Sequence, residues 1–550
     1  MTTRLIIIGG VAGGATAAAR ARRLNEKADI ILFERGEYIS FANCGLPYYL
    51  GNVIKKRRKL LVTTSEALIR RYRIDVRTFS EVVAIDRDRH EVKVKNLETG
   101  DTYREPYDKI ILSPGAEPIK PHLDGIDLDN IFSVRSLSDI DHIKNLVDET
   151  KPKSAVIVGG GFIGLEMAEN LARRGVAITI VEMLNQVMAP VDLEMAAIAQ
   201  AHLRKNGVVL ELGNGVKGFA QSNGGLQVFT ENGSSFDCDL VILAIGVRPE
   251  NRLADEADIK ISEKGGIKTG SDMQTTDPDI FAVGDAVEVA EYITGKPAMI
   301  PLAGPANKQG RIAAENAMGR QAAYRGTMGT SIVQLFDMTL ACTGLNEKSL
   351  KQENIAYKKS YTTSGSNASY YPGGEDMTIK LLFSPNDGNI LGAQIAGNKG
   401  VDKRIDIIAT AIRGKMTVYD LEELELAYAP PFSSAKDPVN VAGFVAANIL
   451  KGDLEAVYWD ELDGLDPDRH IFIELRRKSE IERYGAIAGS VHIPIDDLRD
   501  RLDELDRGKT YILFCAVGIR SYIAYRILNQ HGYKAKSFSG GFTIYQHTVC

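Results

Sequence analysis

The chain opens on an apolar run that breaks into glycines and then into a stretch of alanines and arginines, "RLIIIGGVAGGATAAARARR". That pattern predicts a buried strand, a glycine turn and an Ala-rich helix. A second apolar strand, "DIILFE", ends in Glu34. The same order recurs in "SAVIVGGGFIGLEMAENLARRG" and "AITIVE", which ends at Glu182. "IILSPGAEP" (Ile110–Pro118) and "VILAIGVRPE" (Val241–Glu250) read as strands closing in Gly/Pro turns. Near the end, "YILFCAVGIRSYIAYRILNQHGY" predicts a buried strand ending at Cys515, a short loop to Arg520 and a helix from Ser521. Strands alternating with helices in this way predict an α/β protein.

The glycine turns carry the first chemistry. Gly9, Gly10, Gly13 and Gly14 let backbone approach a pyrophosphate at a helix N-terminus, where free N–H groups and the helix dipole favour anions. Glu34 lies at the distance expected for a ribose hydroxyl. This first turn departs from GxGxxG, because Val11 takes the middle glycine position. The second turn has the full pattern at Gly159, Gly161 and Gly164. A carboxylate at Glu182 accepts from a 2′-hydroxyl and repels a 2′-phosphate, which favours NADH over NADPH.

Size and charge narrow the classes. At 550 residues, the chain can hold several domains, and 44% hydrophobic with 25% charged residues is ordinary for a globular protein. A net charge of -6 argues against general nucleic-acid binding. No stretch is apolar enough to predict a membrane span, and the start reads as strand–turn–helix rather than a signal peptide. The cysteines, Cys44, Cys238, Cys342, Cys515 and Cys550, show neither CxxC nor metal-ligand spacing. No metal is expected, and a reducing cytoplasm is the expected setting. Cys238 and Cys342 read as core, and Cys550 as a tail thiol.

"TTDPDIFAVGDA" resembles a second FAD fingerprint, in which Asp285 holds the ribityl chain, and "PLAGPANKQGRIAAENA" opens a helix toward the flavin. With both glycine turns, these segments make the first 450 or so residues resemble the pyridine nucleotide–disulfide oxidoreductase family, in its single-cysteine branch. That branch includes coenzyme A-disulfide reductases, NADH oxidases, NADH peroxidases and NADH-dependent persulfide reductases. The resemblance implies two Rossmann-like domains, an α+β dimerisation domain and a homodimer. It also implies an order: FAD-binding 1–149, NADH-binding 150–270, FAD-binding 271–325 and interface 326–450.

The resemblance places Cys44, in "SFANCGLPYY", over the flavin ring. Thiolate is the reactive form of cysteine, so the site is expected to lower its pKa. Ala12 stands where oxidase and peroxidase members carry a histidine, which favours a mixed disulfide with a substrate thiol over peroxide chemistry. The resemblance further implies that Arg20, Arg23, Ser40 and Asn43 contact coenzyme A. It also implies that Tyr370 ("SNASYYPGGE") and Tyr428 ("LELAYAPPFSSAKDP") reach the other subunit's flavin site as acid–base groups, with Tyr371 an adjacent competitor.

After residue 450 the acidic stretch "KGDLEAVYWDELDGLDPDRH" reads as a linker. The remainder, 451–550, resembles a rhodanese homology domain: the six-residue loop Cys515 to Arg520 suits an anionic persulfide in an N–H cradle. Two departures are Glu474 and Arg476 in "E-L-R", where "D-V-R" is usual, and Tyr545, where tryptophan is common. Together these features predict an FAD-dependent NADH reductase of coenzyme A persulfide, polysulfide and coenzyme A disulfide. In it, Cys44 is the redox cysteine and Cys515 handles sulfane sulfur. The alternatives are an NADH oxidase, or a sulfurtransferase with an accessory flavin domain.

Overall fold

The computed structural model describes residues 3–222 and 224–549. They form two compact units, Met1–Asn185 with Val208–Gly329 and Gln186–Gly207 with Thr330–Cys550. Cys550, read above as a tail thiol, lies outside the described residues. Among those described, no helix is long and apolar enough to cross a membrane.

The first unit repeats one design. Its first parallel sheet runs in the order Ile280–Ala282, Lys109–Leu112, Arg4–Ile8, Asp29–Phe33, Asp75–Arg77. Leu5, Ile6 and Ile7 are wholly buried, with Ile7 in register with Leu32 and Ile111. Strands covered on both faces need continuous apolar runs, which is why "RLIII" does not alternate. The second sheet runs Val209–Leu212, Ala177–Glu182, Ser154–Val158, Leu240–Leu243, Ile131–Ser133. Each half also carries a three-stranded antiparallel meander, Ser80–Asp86 to Thr102–Pro106 in one and Val216–Ser222 to Ser235–Cys238 in the other.

Small residues set the helix packing. The helix Ala12–Leu24 buries Ala15, Ala17, Ala18 and Ala21 and lies against Ala303–Ala317. A Cβ on Gly310 would stand 2.2 Å from the Gly13 carbonyl oxygen. Larger side chains there would force the two helices apart.

The second unit holds two sheets. An antiparallel one runs Ser331–Leu335, Met338–Gly344, Ile390–Gly397, Asp376–Phe383, Lys358–Gly365, with helices Val401–Arg413 and Pro438–Leu450 packed on it. The helix Leu193–Lys205 belongs to this unit and packs on the same sheet. The final sheet is parallel: Ala456–Val457, Lys534–Phe538, Thr510–Phe514, His470–Glu474, Val491–His492. Its edge strand Ala456–Val457 comes from the acidic stretch that reads as linker. Cys238 and Cys342 are buried, as their apolar contexts predict.

Candidate active sites

The two glycine turns are built alike. Gly9 and Gly159 adopt φ of +97° and +108°. A Cβ on Gly14 would lie 1.8 Å from the Gly9 oxygen, and one on Gly164 would lie 2.0 Å from the Gly159 oxygen. These glycines are required by the chain itself. Gly161 differs, because a Cβ there would meet no protein atom within 4 Å. Its missing side chain leaves a face open at the helix N-terminus, which fits a dinucleotide pyrophosphate. Gly13 instead serves packing, since its Cβ would fall 2.9 Å from Val283.

Each acidic residue braces its own turn. Glu34 accepts from the Gly10 N–H at 2.8 Å and the Gly36 N–H at 2.8 Å. Glu182 accepts from the Gly160 N–H at 2.7 Å and the Leu184 N–H at 2.8 Å. A carboxylate has about four acceptor positions, so capacity remains for a ribose hydroxyl. Asp285 lies in the short turn Gly284–Ala286, where burial pushes its carboxyl pKa up and Arg135 opposes the rise. Gln309 fixes that turn by accepting from the Gly284 N–H at 2.8 Å.

Cys44 sits in a 3-10 turn, Asn43–Gly45, that runs into the helix Leu46–Leu50. The Ser40 N–H donates to the Gly10 oxygen at 2.9 Å, tying the cysteine segment to the first glycine turn. The Ala42 N–H donates to the Leu60 oxygen at 2.8 Å and holds its other side. Cys44 is solvent-exposed, yet protein atoms around its sulfur partly desolvate it. That desolvation, with the Glu166 and Asp285 carboxylates, raises its thiol pKa. The expected lowering is thus corrected: the charges that the chain places near the sulfur are negative.

Sequence reasoning missed Glu166 and Tyr48. The Tyr48 hydroxyl donates to Glu166 Oε1 at 3.1 Å. Burial, with Glu169 beside it, pushes the Glu166 carboxyl up to about 7. The signal was present in part, since Tyr48 falls one helical turn after Cys44. The contact with Glu166, on the helix Phe162–Ala172, depends on tertiary packing.

The arginines of "RARR" divide. Arg20 is ion-paired with Glu315 at 2.5 Å. Arg22 is buried and donates to the Tyr72, Ala28 and Arg73 carbonyls, so it is structural. Arg23 is exposed, as is Asn43, while Ser40 is half-buried with φ +47°.

In the second unit, Tyr370 and Tyr428 meet hydroxyl to hydroxyl at 2.6 Å. The structure therefore pairs Tyr370, not its neighbour Tyr371, with Tyr428. Both rings are exposed, as is Phe432 nearby in sequence. The hydrogen bond shared with Tyr370 pushes the Tyr428 pKa up. Elsewhere in this unit Asp192, Glu194 and Glu347 converge, all buried. The Lys380 ammonium sits among them, 2.8 Å from Asp192 and bonded to Glu194 and Glu347. Burial alone would raise the Glu347 pKa, but Lys380 and Lys359 hold it at about 2.

Cys515 is fully buried at the end of the strand Thr510–Phe514. Its Sγ accepts from the Gly518 N–H at 3.1 Å. Gly518 caps the helix Ile519–Gln530 at φ +119°, so the helix begins at Ile519 rather than at the expected Ser521. Arg520 therefore lies in its first turn. Glu480 grips the Arg520 guanidinium with two bonds of 2.7 Å, and the Cys515 sulfur lies within the guanidinium's electrostatic reach. Arg520 in turn holds the Glu480 carboxyl at about 2. The turn from Ser537 to Tyr545 braces the loop, with the Phe542 N–H donating to the Cys515 oxygen at 2.8 Å. Glu474 and Arg476, the departures from "D-V-R", form a buried pair at 2.6 Å, and Arg476 lies 4.0 Å over the Phe542 ring.

The matches to known proteins follow these features. Residues 3–310 match the pyridine nucleotide-disulphide oxidoreductase model, 330–438 its dimerisation domain and 457–548 a rhodanese-like domain. The chain is 34% identical over 447 residues to a coenzyme A disulfide reductase of Staphylococcus haemolyticus, covering 81% of this chain and 100% of that one. The solved structure of reduced Bacillus anthracis CoADR-RHD is 48% identical, with a TM-score of 0.97 over 100% of this chain and 98% of that one. That of a NAD-dependent persulfide reductase from A. fulgidus is 35% identical, with a TM-score of 0.93 over 99% of this chain and 100% of that one. With its paired glycine turns, single cysteine turn and terminal sulfur-cradling loop, the chain belongs to the pyridine nucleotide-disulphide oxidoreductase family and ends in a rhodanese-like domain.

Proposed function

We propose that this protein uses NADH and FAD to reduce the sulfur–sulfur bond of coenzyme A persulfide, polysulfide and coenzyme A disulfide, working through Cys44. The observation that carries this reading is the pairing, in one chain, of Cys44, which has no second cysteine beside it in the sequence, with a second cysteine, Cys515, whose sulfur accepts from the Gly518 N–H at the start of a helix. The missing partner sulfur then arrives with the substrate. The full-length likeness to a persulfide reductase supports the same substrate class.

The residues divide the work as follows. The turns at Gly9 and Gly159 seat the two dinucleotides, with Glu34, Asp285 and Glu182 positioning them, and Glu182 favours NADH. Cys44 thiolate attacks the coenzyme A-bearing sulfur of the persulfide. A Cys44–S bond forms, the outer S–S bond breaks, and hydrosulfide leaves with the electron pair and a proton. Held at the first turn by Gly9, Glu34 and Asp285, FAD would supply the electron pair taken from NADH; with that pair and one proton, the Cys44–coenzyme A disulfide opens to Cys44 thiolate and coenzyme A thiol. Arg23, Ser40 and Asn43 contact coenzyme A, and Arg20 does so on giving up Glu315. In the homodimer, the Tyr370–Tyr428 pair serves the neighbouring subunit's Cys44 by donating to departing thiolate. Cys515 receives or delivers sulfane sulfur, with Arg520 at its side. The free thiols, among the described residues, fit a cytoplasmic setting.

The test is anaerobic, NADH-driven sulfide release from coenzyme A persulfide in the native enzyme and in Cys44→Ser. Multiple-turnover release that disappears in the variant is the expected result. A flavin that NADH reduces but that yields no sulfide would sink the reading, and oxygen consumption without a sulfur substrate would favour an NADH oxidase.

A further inference from the structure

The loop from Cys515 to Arg520 carries a single charged side chain, Arg520. The cation of that loop, Arg520, is matched by Glu480 through two bonds of 2.7 Å. Arg476 is spent on buried Glu474. The remaining side chains of the loop are Ala516, Val517 and Ile519. Ile519 is 65% exposed, and Ile523, one turn along the same helix face, is 41% exposed.

Two kinds of sulfane donor place different demands on such a site. Thiosulfate arrives as a dianion. When Cys515 thiolate attacks its outer sulfur, a Cys515–S bond forms, the S–S bond breaks and sulfite leaves as a second dianion. Negative charge accumulates throughout and calls for uncompensated cations. An organic persulfide carries at most one charge at the reacting end. Attack on its outer sulfur forms the same Cys515–S bond and expels an organic thiolate, which takes the electron pair and then a proton. Its uncharged arm can lie against Ile519 and Ile523.

We propose that Cys515 takes sulfane sulfur from a persulfide on an uncharged organic arm, and that Glu480, by neutralising Arg520, turns thiosulfate away. This rests on the reading of Cys515 as a sulfur acceptor. Glu480 is here a positioning and selectivity residue, acting through Arg520.

The test uses the full-length, FAD-loaded Cys44→Ser protein and follows the gain of one sulfur atom on the Cys515 peptide by mass spectrometry, with Cys515→Ala as blank. The donors are N-acetylcysteamine persulfide and thiosulfate. The persulfide is expected to load Cys515 faster than thiosulfate by about 100-fold, and Glu480→Gln to raise the thiosulfate rate by about 10-fold. Ile519→Lys, which adds a cation without touching the clamp, is expected to do the same. If Glu480→Gln collapses the loop and loses both donors, Ile519→Lys decides. Equal loading by the two donors in the parent overturns the proposal, as does a thiosulfate rate that Ile519→Lys leaves unchanged. Loading by neither donor overturns the acceptor reading itself. Because Cys44 is absent throughout, failure of NADH-driven sulfide release leaves this measurement standing.

Discussion

The Tyr48 hydroxyl donates to Glu166 Oε1 at 3.1 Å, one helical turn beyond Cys44. This bond joins the segment carrying Cys44 to the helix that opens at the second glycine turn. It also sets an acid beside the sulfur whose charge changes near neutral pH, since the Glu166 carboxyl titrates at about 7. Above that pH the Glu166 carboxylate repels the Cys44 thiolate and raises the thiol pKa.

Removing that charge lowers the thiol pKa. In Glu166→Gln the pH midpoint of Cys44 alkylation by iodoacetamide is expected to fall by about one unit. Rates measured from pH 6 to pH 10 in native enzyme and variant check this. An unchanged midpoint would show that Glu166 exerts no effective field on the sulfur.

Tyr370 and Tyr428 share one hydrogen bond and are expected to act as a unit. Tyr370→Phe and Tyr428→Phe each lower kcat for coenzyme A disulfide by about 10- to 100-fold, and the double variant loses little more. Losses that multiply in the double variant would show independent roles.

Glu182 accepts from the Gly160 N–H, and a carboxylate at that position would repel a 2′-phosphate. Glu182→Ala is expected to shift the ratio of kcat/KM for NADH over NADPH toward NADPH by about 10-fold or more. Part of the change comes from a raised KM for NADH, because the turn loses its brace. Steady-state kinetics with both coenzymes check it.

Lys380 is wholly buried and faces three buried carboxylates. Lys380→Met leaves Asp192 and Glu194 without this cation, while Glu347 keeps Lys359, and is expected to cost about 3–5 kcal/mol, read by denaturant unfolding. The pH dependence has a definite sign. The Glu347 pKa, about 2 in the fold, lies below its unfolded value. Its stabilisation is therefore complete above the ordinary carboxylate range and is lost as pH falls toward 2. The variant, in which Lys359 still faces Glu347, is expected to show a smaller acid-side decline.

What the sequence determined by itself was local. Apolar runs such as "RLIII", the spacing of Gly159, Gly161 and Gly164, and the Cys515-to-Arg520 loop depend on neighbours along the chain, so strands, turns and helices were legible there. What only the tertiary structure decided was contact between distant residues and the field those contacts create. Tyr370 and Tyr428 stand 58 residues apart, and Lys380 lies 186 from Glu194, so no spacing rule joins them. The direction of the Cys44 pKa was likewise hidden. The need for a thiolate suggests a lowered value, but folding desolvates the sulfur and brings Glu166 and Asp285 to it. The start of the helix after Cys515 followed the same logic: Gly518, free to adopt positive φ, caps it, so that it begins at Ile519, two residues before the expected Ser521.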